Sequence, residues 1–273
     1  MTIHLRPSRA VFRFAGNDAA KLLGDVLTAP IAAAPGAARW FALLSPQGKI
    51  QAEGLIGWQD GAFWADVDAN VAAEFHRRMK LYRLRADMTI EDLSATHQVG
   101  WSAEPGAAGI VHADGRTPGL GVREIAEVGE TVSWVTDESW ARTRITVGIA
   151  EMGADFAPDS TFPHDIGMDF LGGVDFKKGC YIGQEVVSRM QHRGTARRRP
   201  VIVSAVDAPA GSAVVAGGRE AGAIGQVVEG RAVAIVRLDR IDDPAAVTVE
   251  GRPVQLTLPA WASYTFGESA AAE

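Results

Sequence analysis

An α+β domain followed by a small antiparallel β-barrel is the fold class this sequence predicts, and three observations carry it. Up to residue 196, short apolar runs of strand texture alternate with segments whose apolar residues recur at helical spacing. From Arg199-Pro200 onward only short β-rich runs remain, separated by glycine-containing turns. Between the two lies the most basic stretch of the chain, residues 177–199, which puts a boundary near residue 197. The expected organisation is therefore a first domain over 1–196, a barrel over 197–265 and a disordered tail over 266–273.

The elements follow in order. Val11, Phe12 and Phe14 read as a strand, and Ala15-Gly16-Asn17-Asp18 as a turn into a helix capped by Asn17 or Asp18. Leu22, Leu23, Val26 and Leu27 give that helix one apolar face, which must lie on a sheet. After a Pro/Ala/Gly connection over residues 30–38, the run from Trp40 to Leu44 pairs through Ser45-Pro46-Gln47-Gly48 with Ile50 to Trp58. Asp60-Gly61 turns into a third strand, Ala62 to Val67. Asp68 or Asn70 caps the next helix, where Val71, Phe75, Met79 and Tyr82 form one stripe and Arg77, Arg78 and Lys80 fall off it. Met88 to Leu93 is a further strand. Between Thr96 and Trp134, strand pieces broken by Gly-Ala, Asp-Gly and Pro-Gly turns predict a second α+β half like the first. Glu138 to Arg142 is a short helix. The barrel strands are Val201–Val203, Ala213–Val215, Ile224–Val228, Ala232–Leu238 and Val254–Leu258, with turns at Gly211, Gly217-Gly218, Gly222, Gly230 and Gly251.

Bulk properties exclude several classes. No stretch approaches the eighteen or so consecutive apolar residues of a membrane span, so no membrane partner is expected. Residues 1–13 hold no apolar segment of signal-peptide length, and export is not indicated. A single cysteine in 273 residues forms no internal disulfide, which points to the cytoplasm or another reducing compartment. It also cannot supply the four thiolates, or thiolate and histidine mixture, of an iron-sulfur cluster, so any such cluster would be shared with a second chain or another thiol, and no metal site is expected within the chain. The net charge of −6 opposes a generic nucleic-acid binder. The run of Lys177, Lys178, Arg189, His192, Arg193, Arg197, Arg198 and Arg199 is the exception, readable as an anion-holding patch or as a solvated face.

The densest chemistry lies in Lys177-Lys178-Gly179-Cys180-Tyr181-Ile182-Gly183-Gln184-Glu185-Val186-Val187-Ser188-Arg189. Gly179 and Gly183 bracket Cys180 and Tyr181 and predict a tight loop. Val186, Val187 and Met190 then recur at helical spacing behind Glu185, so Cys180 stands just before a helix N-terminus, beside two lysines. The helix dipole and the ammonium groups favour a thiolate there. The alternative is a small buried apolar residue, because exposure is not written in the sequence.

K-G-C-Y-I-G-Q-E, preceded by Phe162-Pro163-His164-Asp165 and followed by Arg193-Gly194, resembles the signature of the YgfZ family of folate-binding proteins, linked to iron-sulfur cluster biogenesis. The family is related in fold to the aminomethyltransferase (T-protein) of the glycine cleavage system, and the resemblance runs loosely from Leu5 to Ala260. It implies a T-protein-like folate-binding domain of mixed sheets and helices ahead of the barrel. It also implies tetrahydrofolate or a derivative as cofactor, and iron-sulfur client or assembly proteins as partners.

Carried over residue by residue, the resemblance makes Cys180 the key thiol and Lys178 the group that favours its thiolate. Gln184 and Glu185 shape the loop or accept hydrogen bonds. Arg144, in Arg144-Ile145-Thr146-Val147-Gly148, matches an R-x-x-x-G arginine that helps hold folate; the residue-level alternative is a surface or capping arginine. Phe41, Trp58 and Tyr181 are candidate walls of an apolar pterin slot. Leu81-Tyr82-Arg83 matches a tripeptide of some iron-sulfur clients, but three residues recur easily by chance and the resemblance places an aromatic at this helix end for packing. Two positions depart from the relatives. Asp165 stands where the family often has glutamate, which keeps the charge. In Gly48-Lys49-Ile50-Gln51-Ala52-Glu53, the transferase aspartate is either lost to Ala52 or replaced by the longer Glu53. A shift of about an ångström costs on the order of a hundredfold in a positioned reaction, so aminomethyl transfer is the lesser expectation. Three functions follow: a tetrahydrofolate-binding accessory protein for iron-sulfur enzymes, a folate-dependent one-carbon transferase using Glu53 and Arg144, and a partner- or RNA-binding module using the arginine run. RNA is the least expected partner.

Overall fold

The computed structural model describes residues 2–106, 109–129, 134–194 and 196–267. The first part contains β1 (Ile3–Leu5), β2 (Arg9–Ala15), α1 (Ala19–Val26), β3 (Arg39–Leu44), β4 (Ile50–Gln59), β5 (Ala62–Asp68), α2 (Ala72–Arg83) and β6 (Thr89–Asp92). Next come β7 (His97–Ser102), β8 (Ile110–Ala113), β9 (Val122–Glu127), β10 (Trp134–Val135), α3 (Ser139–Thr146) and α4 (Gln184–Arg193). The last part contains β11 (Arg198–Ser204), β12 (Ala213–Ala216), β13 (Arg219–Val228), β14 (Arg231–Arg237), β15 (Val247–Val249) and β16 (Arg252–Thr257).

One five-stranded sheet has the order β3-β4-β5-β2-β6, and a second has β10-β1-β7-β9-β8. The first is the predicted hairpin and its neighbours, with α1 and α2 laid on it. Ala19, Leu23 and Val26 of α1 and Phe75 and Met79 of α2 bury against Phe12, Phe14, Phe41 and Leu43. Each large apolar side chain so buried contributes roughly 2 kcal/mol. Neither expected cap forms by its own side chain. Asp18 accepts the backbone N–H of Asp87 at 2.7 Å instead, and Asp68 accepts that of Asn70 at 2.8 Å.

The two sheets are not consecutive along the chain. The short β1, absent from the sequence reading, pairs antiparallel with β7 and parallel with β10, so the chain begins in the second sheet and crosses to the first between Arg6 and Arg9. Three residues of strand carry too little periodicity to be seen in advance. Their pairing nevertheless decides where Arg6 and Arg9 sit, buried between the sheets.

The predicted barrel is present and closed, in the order β11-β14-β13-β12-β15-β16. Val201, Val214, Ile224, Val236 and Val254 fill its interior. Gly222 lies within β13 rather than in a turn; a Cβ there would come 2.1 Å from the carbonyl oxygen of Ile235 on β14. Phe266 packs on the barrel and the Gly267 N–H donates to Leu238 O at 3.0 Å. The remainder of the expected tail, 268–273, lies outside the described residues.

Candidate functional site: an exposed thiol and a cavity at the barrel seam

The cysteine loop is built by pinning its flanks. Thr28 O accepts the Asp175 N–H at 2.9 Å, and Asp175 Oδ1 accepts the N–H groups of Lys177 and Lys178 at 2.8 and 3.2 Å. Lys178 then turns inward. Its Nζ donates to Gly24 O at 2.8 Å and to Leu27 O, carbonyls at the C-terminal end of α1, and to Ala29 O just beyond it at 2.9 Å. Burial lowers this ammonium to about 8, with Asp175 and Asp25 opposing. All three N–H donors are thereby committed to backbone carbonyls, so any effect of Lys178 on the thiol is through its charge and not through a hydrogen bond.

On the far side, Tyr181 is buried, with its ring centroid 4.9 Å from Lys178 Nζ. Burial, with Asp175 adding, pushes its hydroxyl up to about 12. Gln184 Oε1 accepts the Tyr181 N–H at 3.3 Å and closes the loop onto α4. Gly183 holds φ +78°, and Gly48 of the β3–β4 turn packs on it. Gly179 has neither positive φ nor close neighbours, so only one of the two bracketing glycines is demanded by geometry. Between these fixed points Cys180 is exposed, and the reading of it as a buried apolar residue is set aside. Glu185 is on the surface, paired with Arg189 at 2.6 Å.

The basic run does not form one free face. Lys178 is caged, Arg199 is buried with its guanidinium on Asp169 at 2.8 and 2.9 Å, and Arg189 is paired. Phe162 to Ile166 supports the loop from below. The Asp165 side chain accepts the Phe162 N–H at 3.0 Å, and His164 Nε2 meets Gln191 Oε1 of α4 at 3.1 Å. Burial lowers the His164 imidazole below its usual value.

A hollow of about 690 Å³ lies elsewhere, at the seam between the first domain and the barrel. Arg6, Asp68, Trp140, Arg144 and Glu151 line one side; Ala208, Pro209, Ala210 and Gln226 line the other. Arg144 reaches this wall with its donors engaged: Nη1 on Asp155 Oδ2 at 2.5 Å and Ile149 O at 3.2 Å, Nη2 on Gln226 Oε1 at 2.8 Å, and Nε 3.3 Å from Glu151. It is a tie between α3 and β13. Burial pushes the Glu151 carboxyl up, but Arg6, Arg9 and Arg144 together outweigh it and hold the group well below the usual carboxylate range.

Glu53 is buried and outside that lining. Its Oε2 accepts Trp40 Nε1 at 2.6 Å, and its Oε1 accepts the Met152 N–H at 3.2 Å and lies 3.5 Å from Arg9 Nη1. Tyr181, Phe41 and Trp58 do not line the seam cavity either. Lys178 and Gly179 border a separate hollow of about 270 Å³. The structure therefore separates the sequence candidates into a thiol loop around Cys180 and a seam cavity reached by Arg144. Sequence reading passed over Arg6, Asp68, Trp140 and Gln226. The one advance signal was the pair of arginines, Arg6 and Arg9, flanking Pro7-Ser8 just ahead of the first apolar strand.

Among the described residues, no three His, Cys, Asp or Glu side chains are placed to hold a metal ion, and no helix is long and apolar enough to cross a membrane.

Comparisons with known proteins bear on both parts. Residues 196–264 match the family model of the CAF17 C-terminal beta-barrel domain. The chain is 31% identical over 224 residues to the iron-sulfur cluster assembly factor IBA57 homolog, mitochondrial, of Mycosarcoma maydis, covering 72% of this chain and 56% of the relative. To the human iron-sulfur cluster assembly factor IBA57, mitochondrial, it is 29% identical over 254 residues, covering 81% and 71%. The chain spans about half the length of the fungal relatives it matches. In fold it superimposes on the glycine cleavage system aminomethyltransferase T of Bartonella henselae with a TM-score of 0.75, at 14% identity, over 97% of this chain and 87% of that one. The expected cytoplasmic location is corrected by these relatives, whose names place them in mitochondria. A lone cysteine reports a reducing environment and carries no address. The chain is thus a relative of the IBA57 iron-sulfur cluster assembly factors, with an aminomethyltransferase-like fold closed by a CAF17-type C-terminal β-barrel.

Proposed function

We propose that this protein is an accessory factor for assembly or repair of iron-sulfur enzymes, acting through the Cys180 thiol and holding tetrahydrofolate or a derivative. The observation that carries the reading is the presentation of the only thiol. Cys180 is exposed while Lys178 on one side and Tyr181 on the other are anchored in the body of the protein. Such a thiol is held out at a fixed point, available to a cluster carried by another protein. One thiolate cannot complete a cluster's ligand set, so the cluster is cargo shared with a partner that supplies the remaining ligands. The resemblance of K-G-C-Y-I-G-Q-E to the YgfZ signature and the names of the relatives support the same reading.

For folate, the seam cavity is the place whose chemistry fits. Its volume of about 690 Å³ falls within the usual range for cofactor sites, and Arg6 in its wall keeps a buried Nη1 without a partner. The one-carbon transferase reading has less support, because the Glu53 carboxylate is spent on Trp40, Met152 and Arg9.

The test is Cys180→Ser in cells lacking the native gene. Iron-sulfur enzyme activities are expected to fall to the level of the deletion, while the purified variant melts with the wild type, since an exposed Cys→Ser change moves stability by less than about 0.5 kcal/mol. Normal activities in the variant would remove the thiol from the reading.

A further inference from the structure

The C-terminal end of α2 holds two leucines out in solvent. Leu84 is 85% exposed and Leu81, three residues before it, 57% exposed, whereas Phe75 and Met79 of the same helix are buried and Tyr82 packs on that core. The backbone fixes this display. The Ala86 N–H donates to Arg83 O at 2.7 Å, closing a turn over residues 83–86, and Leu84 takes its first central position with φ +44° and ψ −102°. Those are the angles of a type II′ turn, where glycine is the unstrained residue. A leucine there carries backbone strain and leaves an apolar side chain in water, and ending a helix requires neither. Lys80, Arg83 and Arg85, beside the leucines in sequence, are exposed and make no salt bridge among the described residues, while Arg77 and Arg78 share Glu74 at 2.6 Å. Residues 74–85 thus hold five bases, Arg77, Arg78, Lys80, Arg83 and Arg85, against one acid, in a chain whose net charge is −6.

We propose that this helix end is a peripheral docking point for an anionic lipid surface, with Leu81 and Leu84 entering the boundary of the acyl chains and Lys80, Arg83 and Arg85 meeting the phosphates. Two features favour a bilayer over a protein partner. With every residue of 80–85 except Tyr82 exposed, the end is convex, and a deformable surface receives it without a matching pocket. A stable protein interface takes about 800 Å² from each partner, and the outward face of α2 before this end is charged, with Glu74 and Arg77 exposed. Cations without fixed partners suit a diffuse negative surface, where long side chains keep their heads among the headgroups while their stems lie along apolar matter. The sequence expectation of no membrane partner rests on the missing span, and a contact of this depth needs none. Two leucines and three cations make the contact reversible, because lasting attachment takes a longer apolar face or a lipid chain. The proposal is independent of the thiol and folate readings.

The test is flotation of the full-length protein with vesicles of phosphatidylcholine alone and of phosphatidylcholine with about 30% phosphatidylglycerol, at about 50 mM and about 500 mM salt. Wild type is expected on the anionic vesicles at low salt and not on the zwitterionic ones, with most of the binding lost at high salt. Leu84→Gly removes the side chain and suits the turn, so it is expected to melt with the wild type, relief of strain offsetting the added chain entropy. Its partition coefficient is expected to fall about tenfold, as for one leucine left in water. Lys80→Glu with Arg85→Glu is expected to lose about tenfold or more. Arg197→Glu with Arg198→Glu, exposed in the other basic stretch, is expected to bind as the wild type does. Wild type that ignores anionic vesicles at low salt would overturn the proposal and turn the search to an acidic protein surface. Binding that is indifferent to lipid charge, that survives Leu84→Gly unchanged, or that is abolished by the Arg197 and Arg198 changes would overturn it equally.

Discussion

Gly183 and Gly48 lie back to back: a Cβ on Gly183 would stand 3.1 Å from Gly48 Cα and 2.6 Å from Ser45 O. The turn of the β3–β4 hairpin is thus the bed on which the cysteine loop rests, and it fixes where α4 begins and where Cys180 is held.

Gly183→Ala is expected to destabilise by about 2 kcal/mol or more, because it adds a contact below van der Waals range to a φ of +78°. Gly179→Ala, with no positive φ and no atom within 4 Å, is expected to melt with the wild type. Differential scanning calorimetry on the pair distinguishes them; equal melting temperatures would remove the hairpin bed as the determinant of the loop.

Lys178 closes the C-terminal end of α1 with three hydrogen bonds to Gly24, Leu27 and Ala29. Lys178→Met retains the aliphatic stem but leaves those carbonyls unpaired, an expected loss of about 1–3 kcal/mol. Hydrogen exchange should show the last turn of α1 fraying before the rest of the first domain. Unchanged protection there would show that solvent satisfies the carbonyls equally well.

Arg144 joins α3 to the barrel through Gln226 and neutralises Asp155 and Glu151. Arg144→Ala leaves buried carboxylates without their partner, and the expected cost is about 3–5 kcal/mol, read from urea unfolding. Any loss of ligand binding in this variant would then follow from loosening of the seam.

Glu151 links stability to acid. Its folded-state value lies below the ordinary 4.5, so the stability it contributes is present above that value and is lost as pH falls through it toward the folded-state value. Glu151→Gln is expected to be less stable than wild type at pH 7 and to lose less on acidification. Parallel stability–pH curves between pH 7 and pH 3 would contradict this.

Much of this was legible in advance because it is local. The hairpin Trp40–Trp58, the stripe Phe75–Met79 and the glycine-punctuated barrel strands are short-range patterns, and the structure keeps them, with most ends shifted by a residue or two and with β11 and β13 starting three and five residues earlier than expected. The three-residue β1 and β15 were missed, being too short to show a period. At the site, the loop was visible from Gly183 and the helix behind it, whereas the contacts of Lys178 with α1 and of Arg144 with Gln226 join segments far apart in sequence.

By itself, then, the sequence determined the element types, the two-part architecture, and that one sulfur stands ahead of a helix, because these depend on periodicity and on residues a few positions apart. Tertiary structure alone decided that the sulfur faces solvent, that Lys178 turns away to α1, and that Arg6 rather than Arg144 keeps a free donor. Those outcomes depend on which carbonyls and carboxylates arrive from segments more than a hundred residues away, as Lys178 with Gly24 and Arg6 with Glu151 illustrate. A charged side chain is committed by whatever partner the fold delivers to it, and no local pattern records that delivery.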